Sequence, residues 1–259
     1  MKTSFIIPAR GEKPENLNRT IKSIKDNATG EYEIIVGFDG PPYIDLPDVT
    51  VIRFPNWIGI KSTINALAAS ATGKYLFKLD AHCAINTGAD EVLQRDMEDD
   101  WIVMPRFYIL NKDTWKWQDD RHYDYFFLSC PFTDPRGFRF KAGGHWPQLT
   151  AERENKTKYT IDETPQIHGS GWFMTKEHFF ELGGFPLQDQ YGHAQEPANL
   201  ALKSWLMGYK VMVNKNTWYA HLHQETRDKG FNLGHRNEER TYNLVANYWI
   251  RQRKMEWCI

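Results

Sequence analysis

The stretch KYLFKLDAHCA, residues 74–84, decides how this chain folds and where its chemistry would sit. Leu76, Phe77 and Leu79 read as the end of a buried strand, and Asp80 and His82 follow at its exit. Ligands in open α/β sheets bind outside the carboxyl ends of the strands. A carboxylate and an imidazole two residues apart at such a mouth can hold a divalent cation from one side and leave its other side for a diphosphate. That donor pair suits manganese or a similar transition ion better than calcium, with magnesium as the other candidate. An Asp and a His after a strand are also the pattern of a helix cap and a surface histidine, so the surrounding sequence has to choose.

Upstream, strand and helix alternate. Residues 3–8 (TSFIIP) form a short apolar strand, and 14–27 carry Leu17, Ile21 and Ile24 at helical spacing with Gly30 beyond as a stop signal. Residues 33–38 (EIIVGF) are predicted as a second strand, halted by Asp39-Gly40-Pro41-Pro42, and 49–54 as a third. A helix over 59–71 puts Ile60, Ile64, Leu67 and Ala68 on one face, and 74–79 is the fourth strand. This repetition predicts an α/β fold with a mostly parallel central sheet flanked by helices. Downstream the periodicity fades. Residues 89–166 read as an irregular insertion over the sheet edge, acidic at first and then basic, with Arg136, Arg139, Lys141, His145, Arg153, Lys156 and Lys158 among aromatics. Order returns with a predicted strand at 167–175, helices at 176–182 and 196–206, strands at 210–213 and 218–222, and a C-terminal helix over about 237–253.

Composition sets outer limits. The formal charge of −1 over 259 residues neither demands nor excludes an anionic partner. Cys83, Cys130 and Cys258 have no Cys-x-x-Cys spacing, and their odd number and scatter suggest reduced thiols in a cytoplasmic setting. No stretch reads as a signal peptide or a membrane span. Ten tryptophans are many, and Trp57, Trp115, Trp117, Trp146 and Trp172 fall outside obvious core runs. They point either to a cleft lined by flat rings or to extra core filling.

The ordered pattern of segments resembles the GT-A glycosyltransferases, most of all the family-2-type enzymes and the polypeptide N-acetylgalactosaminyltransferases. FIIPARGE at 5–12 resembles their opening strand and turn, over which the nucleotide sits, and FDG at 38–40 the strand-end Asp that contacts uracil. NWIGIKSTINALAASATGKYLFKLDAHC at 56–83 resembles the stretch that leads into the metal motif. HGSGWFMTKEHFFELGGFP at 168–186 resembles the acceptor-side strand and helix, GHAQEPANLALKSWLMGYKV at 192–211 the acidic helix, and YAHLH at 219–223 the strand returning a third metal ligand. The resemblance implies a single GT-A catalytic domain over 1–259. It divides into a nucleotide-sugar half (1–88), the insertion (89–166), an acceptor-side half (167–234) and a helical tail (235–259). It implies transfer from a nucleoside diphosphate sugar, a uridine diphosphate sugar above all, to an acceptor hydroxyl. Asp80 and His82 would be metal ligands, His221 the third, and His223 its backup. Pro8 would lie under the nucleotide. The Asp-x-His form and the Gly-Ser-Gly-Trp segment lean toward retention of anomeric configuration.

The chemistry of individual residues leaves paired readings. Arg10 and Gly11 can approach a phosphate or the base, or form a plain turn. Asp39 can accept the imide N–H of uracil or cap the next turn. Lys61 can offset phosphate charge or sit solvated. Glu196 can act as a general base on an acceptor hydroxyl, or serve as a carboxylate at a helix N-terminus. Many relatives follow this Glu with Asp or Asn where this chain has Pro197. Trp172 can line the sugar or acceptor site, or fill the core.

Two other classes compete. A nucleotide-sugar pyrophosphorylase wants a glycine-rich phosphate loop after the first strand, and PARGEKPEN has one glycine. A non-catalytic carbohydrate-binding module suits the aromatics but does not need an ordered metal set. The acceptor is open among a glycan, a lipid-linked precursor, a protein and a hydroxymethylated pyrimidine in DNA. The basic stretch at 135–160 and Arg251-Gln252-Arg253-Lys254 give a modest footprint for nucleic acid, or are solvated faces.

Overall fold

A computed structural model describes residues 1–127, 144–185 and 196–223. Strand β1 (Thr3–Ala9) is buried along its whole length, as expected of a strand covered on both faces. Helix α1 (Pro14–Asn27) has Pro at its first turn, where its fixed φ suits the helix and its missing N–H costs no bond. Glu15 near its N-terminus and Lys25 near its C-terminus are both favourable to the helix dipole, and it buries Leu17, Ile21 and Ile24. Strands β2 (Tyr32–Asp39) and β3 (Thr50–Phe54), helix α2 (Ile60–Ser70) and strand β4 (Tyr75–Leu79) follow as the periodicity requires. Strands β1, β2, β3 and β4 pair in parallel. Phe5 stacks on Phe77, which meets Phe173 edge-on, so one aromatic seam runs through the core.

The remaining elements are β5 (Cys83–Ile85), α3 (Ala89–Arg95), β6 (Trp101–Leu110), β7 (Trp117–Tyr123), α4 (Pro147–Arg153), β8 (Ile161–Glu163), β9 (Gly171–Thr175), α5 (Lys176–Glu181), α6 (Glu196–Leu206) and β10 (Lys210–His221). The sheet order is β3-β2-β1-β4-β9-β6-β10-β5, with β7 on β6 and β8 on β10. Strand β9 runs antiparallel to β4 and β6, and β5 antiparallel to β10. The sheet is therefore mixed: parallel in its first half, and in its second antiparallel except where β10 runs parallel to β6.

Two expectations need correction. The stretch expected to be irregular supplies β6, a ten-residue strand in the middle of the sheet. Its sequence, WIVMPRFYIL, hides the strand because Pro105 and Arg106 interrupt an otherwise continuous apolar run. The two short strands expected at 210–213 and 218–222 are one strand, β10, whose pairing with β6 slips between Asn214 and Trp218. Arg136, Arg139, Lys141, the predicted C-terminal helix and the 251–254 cluster lie outside the described residues.

One topological feature places the site. After β4 the chain crosses the end of the sheet, past β9 and β6, to pair β5 with β10 at the far edge. Asp80, Ala81 and His82 are that crossing. The β5–β10 register sets His221 opposite Cys83, and the Leu222 amide donates to the His82 carbonyl at 3.0 Å.

Candidate active site and metal centre

Asp80, His82 and His221 each aim one ligand atom at a common point, all within 4.8 Å of one another. The two Nε2 atoms are 2.9 Å apart, and His221 Nε2 is 3.2 Å from Asp80 Oδ2. Behind them, His82 Nδ1 lies 3.0 Å from Glu12 Oε2. If Nδ1 carries the proton and donates to Glu12, His82 Nε2 keeps a bare lone pair. Carboxylate–histidine–metal sites use this arrangement to fix the ring and raise its basicity. Three convergent oxygen and nitrogen donors with an acidic group behind one of them fit a divalent cation such as manganese or magnesium. His223 sits outside this group, its ring centre 6.4 Å from that of His221.

The electrostatics agree. Burial opposes the charge on Asp80, but Lys78, His221 and His82 outweigh it and hold the carboxyl well below its ordinary range. Lys78, 2% exposed, pairs with Asp80 Oδ1 and donates to the Gly169 carbonyl at 2.6 Å. Burial pushes His221 well below the usual imidazole range against the opposing pull of Asp80. A neutral imidazole beside an ionised carboxylate is the protonation state a metal site needs.

The other candidates divide. Asp39 Oδ1 accepts the amides of Ile58 at 2.6 Å and Gly59 at 3.1 Å, so it fixes the turn that launches α2. Arg10 lies over the Trp57 ring, 4.0 Å from its centre, at the ends of β1 and β2. Gly11 has φ 56°, a left-handed conformation that suits glycine. Pro8 is buried within β1, opposite Gly37 of β2. Lys61 is buried in the first turn of α2 rather than solvated, and its charge adds to burial in pushing Lys203 down to about 8. Glu196 opens the described part of α6, buried, with Oε1 unpartnered among the described residues. Trp172 packs as a core residue, fully buried and stacked on Phe179 with ring centres 5.9 Å apart. Trp57 and Trp117 are exposed, and Trp146 marginally so. Arg153 is held by Asp162 at 2.6 Å.

Several contributors escaped the sequence reading. Glu12 follows the Arg10-Gly11 turn, and nothing local announces its reach to His82. Lys78 had a signal, being the lone charge in the apolar run of β4. His168, Ser170 and Tyr219 form a third group beside the metal donors. The Ser170 carbonyl accepts the Asp80 amide at 2.8 Å, and Ser170 Oγ bonds Tyr219 at 3.1 Å and His168 Nδ1 at 2.6 Å. Burial lowers His168 to about 4. Gly171 makes room for Tyr219, since a β-carbon there would lie 2.6 Å from its ring.

A family model for glycosyl transferase family 2 matches residues 4–179, covering β1 through most of α5 and including Asp80 and His82. The chain belongs to glycosyltransferase family 2. Among curated proteins it is 23% identical to polypeptide N-acetylgalactosaminyltransferase 5 of Caenorhabditis elegans over 96% of its length. It is 26% identical to polypeptide N-acetylgalactosaminyltransferase 5 of Mus musculus over 92%. It spans 41% and 25% of those two proteins. A crystal structure of GalNAc-T7 with UDP, GalNAc and Mn2+ superposes with TM-score 0.76 at 21% identity, covering 98% of this chain and 50% of that one. A structure of Staphylococcus aureus TarS 1–349 with UDP-GlcNAc superposes with TM-score 0.62 at 12% identity, covering 96% of this chain and 67% of that one. These likenesses show the GT-A fold in this family-2 chain. No helix among the described residues is long and apolar enough to cross a membrane.

Proposed function

We propose that this chain is a metal-dependent glycosyltransferase moving a sugar from a uridine diphosphate sugar to an acceptor hydroxyl. The observation that carries the reading is the convergence of Asp80, His82 and His221 at the end of the sheet, with Glu12 behind His82. Asp80, His82 and His221 would hold manganese or a similar ion. When bound, that ion supplies positive charge to the diphosphate as it leaves the sugar. Lys61, at the head of α2, adds a fixed cation on the donor side. Asp39, with Oδ1 anchoring the α2 turn, keeps Oδ2 for the imide N–H of the base, beside the Arg10–Trp57 pair. Glu196 takes the acceptor side: its buried Oε1, without a partner among the described residues, is placed to receive a hydroxyl.

A non-catalytic carbohydrate-binding module would not call for this set of three metal donors, and a pyrophosphorylase would call for a glycine-rich phosphate loop after β1, where PARGEKPEN has one glycine. Retention is the stereochemical course that the Asp-x-His form favours, read from the anomeric proton of the product. Inversion would make Glu196 the base of a direct displacement.

The test is release of UDP from UDP-sugars with and without Mn2+, for the native chain and Asp80→Asn. Asparagine keeps the side-chain shape while removing the charge. Turnover should require the metal and fall to background in the variant. Full turnover in a chelator would overturn the proposal. The best donor is then offered serine and threonine peptides, glycans, lipid-linked precursors, and plain and hydroxymethylated DNA. Transfer to one of them names the acceptor class.

A further inference from the structure

His168 lies in the turn before β9, between the metal donors and α6. Its ring is stacked on Phe107, with centres 4.6 Å apart, and meets His221 edge-on at 5.7 Å. The next residue, Gly169, borders Pro197 of α6, where an added β-carbon would sit 3.4 Å from the proline ring. His168 therefore stands between the group proposed to hold the diphosphate and the helix that begins with Glu196.

Its hydrogen bonds fix its tautomer. The Ser170 amide donates to His168 Nδ1 at 3.3 Å, so that nitrogen is an acceptor. Ser170 Oγ, 2.6 Å away, donates to the same atom and is free to accept from the Tyr219 hydroxyl at 3.1 Å. With Nδ1 committed as acceptor, the neutral ring carries its proton on Nε2. Nε2 has no hydrogen-bond partner among the described residues, and the side chain is half-buried rather than sealed. A donor locked in direction by two neighbours, and left without an acceptor beside a reaction centre, is preorganised for a ligand oxygen.

We propose that His168 is a sugar-contacting residue, donating from Nε2–H to a hydroxyl oxygen of the transferred sugar. The inference rests on the reading of this site as a nucleotide-sugar site. Ser170 and Tyr219 are its positioning residues: they hold the tautomer and touch no substrate.

The experiment compares binding of UDP with binding of UDP-GalNAc and UDP-GlcNAc, in Mn2+, by calorimetry. The native chain and two variants are used. His168→Phe keeps a flat ring against Phe107 and removes the donor. His168→Gln keeps an N–H at a similar reach. The native chain should bind at least one nucleotide sugar more tightly than UDP. His168→Phe should bind that sugar about tenfold more weakly, the worth of one hydrogen bond, and bind UDP as the native chain does. His168→Gln should recover most of the difference. Equal weakening of UDP and the sugar in His168→Phe would make the residue structural and overturn the proposal. So would unchanged sugar binding, or a native chain that prefers neither sugar over UDP. A native chain that binds no UDP at all would instead overturn the nucleotide-sugar reading itself.

Discussion

At the scale of single residues, the donor atoms are set by what stands behind them. His82 could present either nitrogen to an ion, and Glu12 at 3.0 Å from Nδ1 selects Nε2. Glu12 also accepts from Asn16 Nδ2 at 3.1 Å, which ties the carboxylate to the first turns of α1. Glu12→Gln keeps the side-chain shape and one acceptor oxygen, but turns the other oxygen into an NH2 donor and removes the negative charge that strengthens the imidazole as a ligand. Mutations of such supporting groups typically cost about 10–100-fold in metal affinity. We expect a loss of that size in Mn2+ titrations of the variant, with thermal stability in chelator close to that of the native chain. Native Mn2+ affinity in Glu12→Gln would reduce Glu12 to a brace between the β1 turn and α1. Lys78 plays the complementary part on Asp80: a buried ammonium holds the carboxylate ionised and occupies Oδ1, leaving Oδ2 toward His221.

At the scale of elements, two carboxylates at helix starts have different duties. Asp39 closes β2 and holds the turn into α2 through Oδ1. Asp39→Asn retains that oxygen and should keep its stability, while Asp39→Ala leaves two amides unpaired and should lose about 1–2 kcal/mol. Both should weaken UDP binding if the other oxygen meets the base, and native UDP affinity in Asp39→Asn would leave Asp39 only the turn. Glu196 Oε1, by contrast, is buried without a partner among the described residues. Glu196→Gln should therefore lower kcat by about 10²–10⁴-fold with little change in donor affinity, and near-native kcat would reassign Glu196 to its helix. These elements also show what the sequence discloses. Helix α1 and the β1–β4 alternation were legible because each helix buries one stripe and each strand one continuous run. Strand β6 was not, because a strand covered on both faces has no period-two signal and Pro105 and Arg106 break its apolar run. Asp80 and His82 were legible as residues two apart in one motif, and His221 through the resemblance of YAHLH. Glu12 and His168 were not, since each reaches the site by a fold contact that no local spacing encodes.

At the scale of the whole molecule, the metal centre is a junction between distant parts of the chain. His82 and His221 are 139 residues apart in sequence, and His221 and Asp80 are 141 apart. They meet because the chain crosses from β4 to β5 over the ends of β9 and β6, and because β10 pairs with both β6 and β5. An ion held by all three ligands can bind only the folded sheet, since the unfolded chain does not bring these groups together. Such binding stabilises the fold by about 2.7 kcal/mol at a hundredfold excess over Kd. In a domain of this size that corresponds to a rise in melting temperature of about 5–10 °C. Mn2+ should therefore raise the melting temperature of the native chain, and chelator should reverse the rise. His221→Gln removes the ligand from β10 and leaves Asp80 and His82 in place on the crossing. With the junction reduced to one segment, two ligands remain, and the variant should lose most of the Mn2+-dependent rise while melting near the native temperature in chelator. A full rise in His221→Gln would place the ion on the crossing alone and remove β10 from the centre.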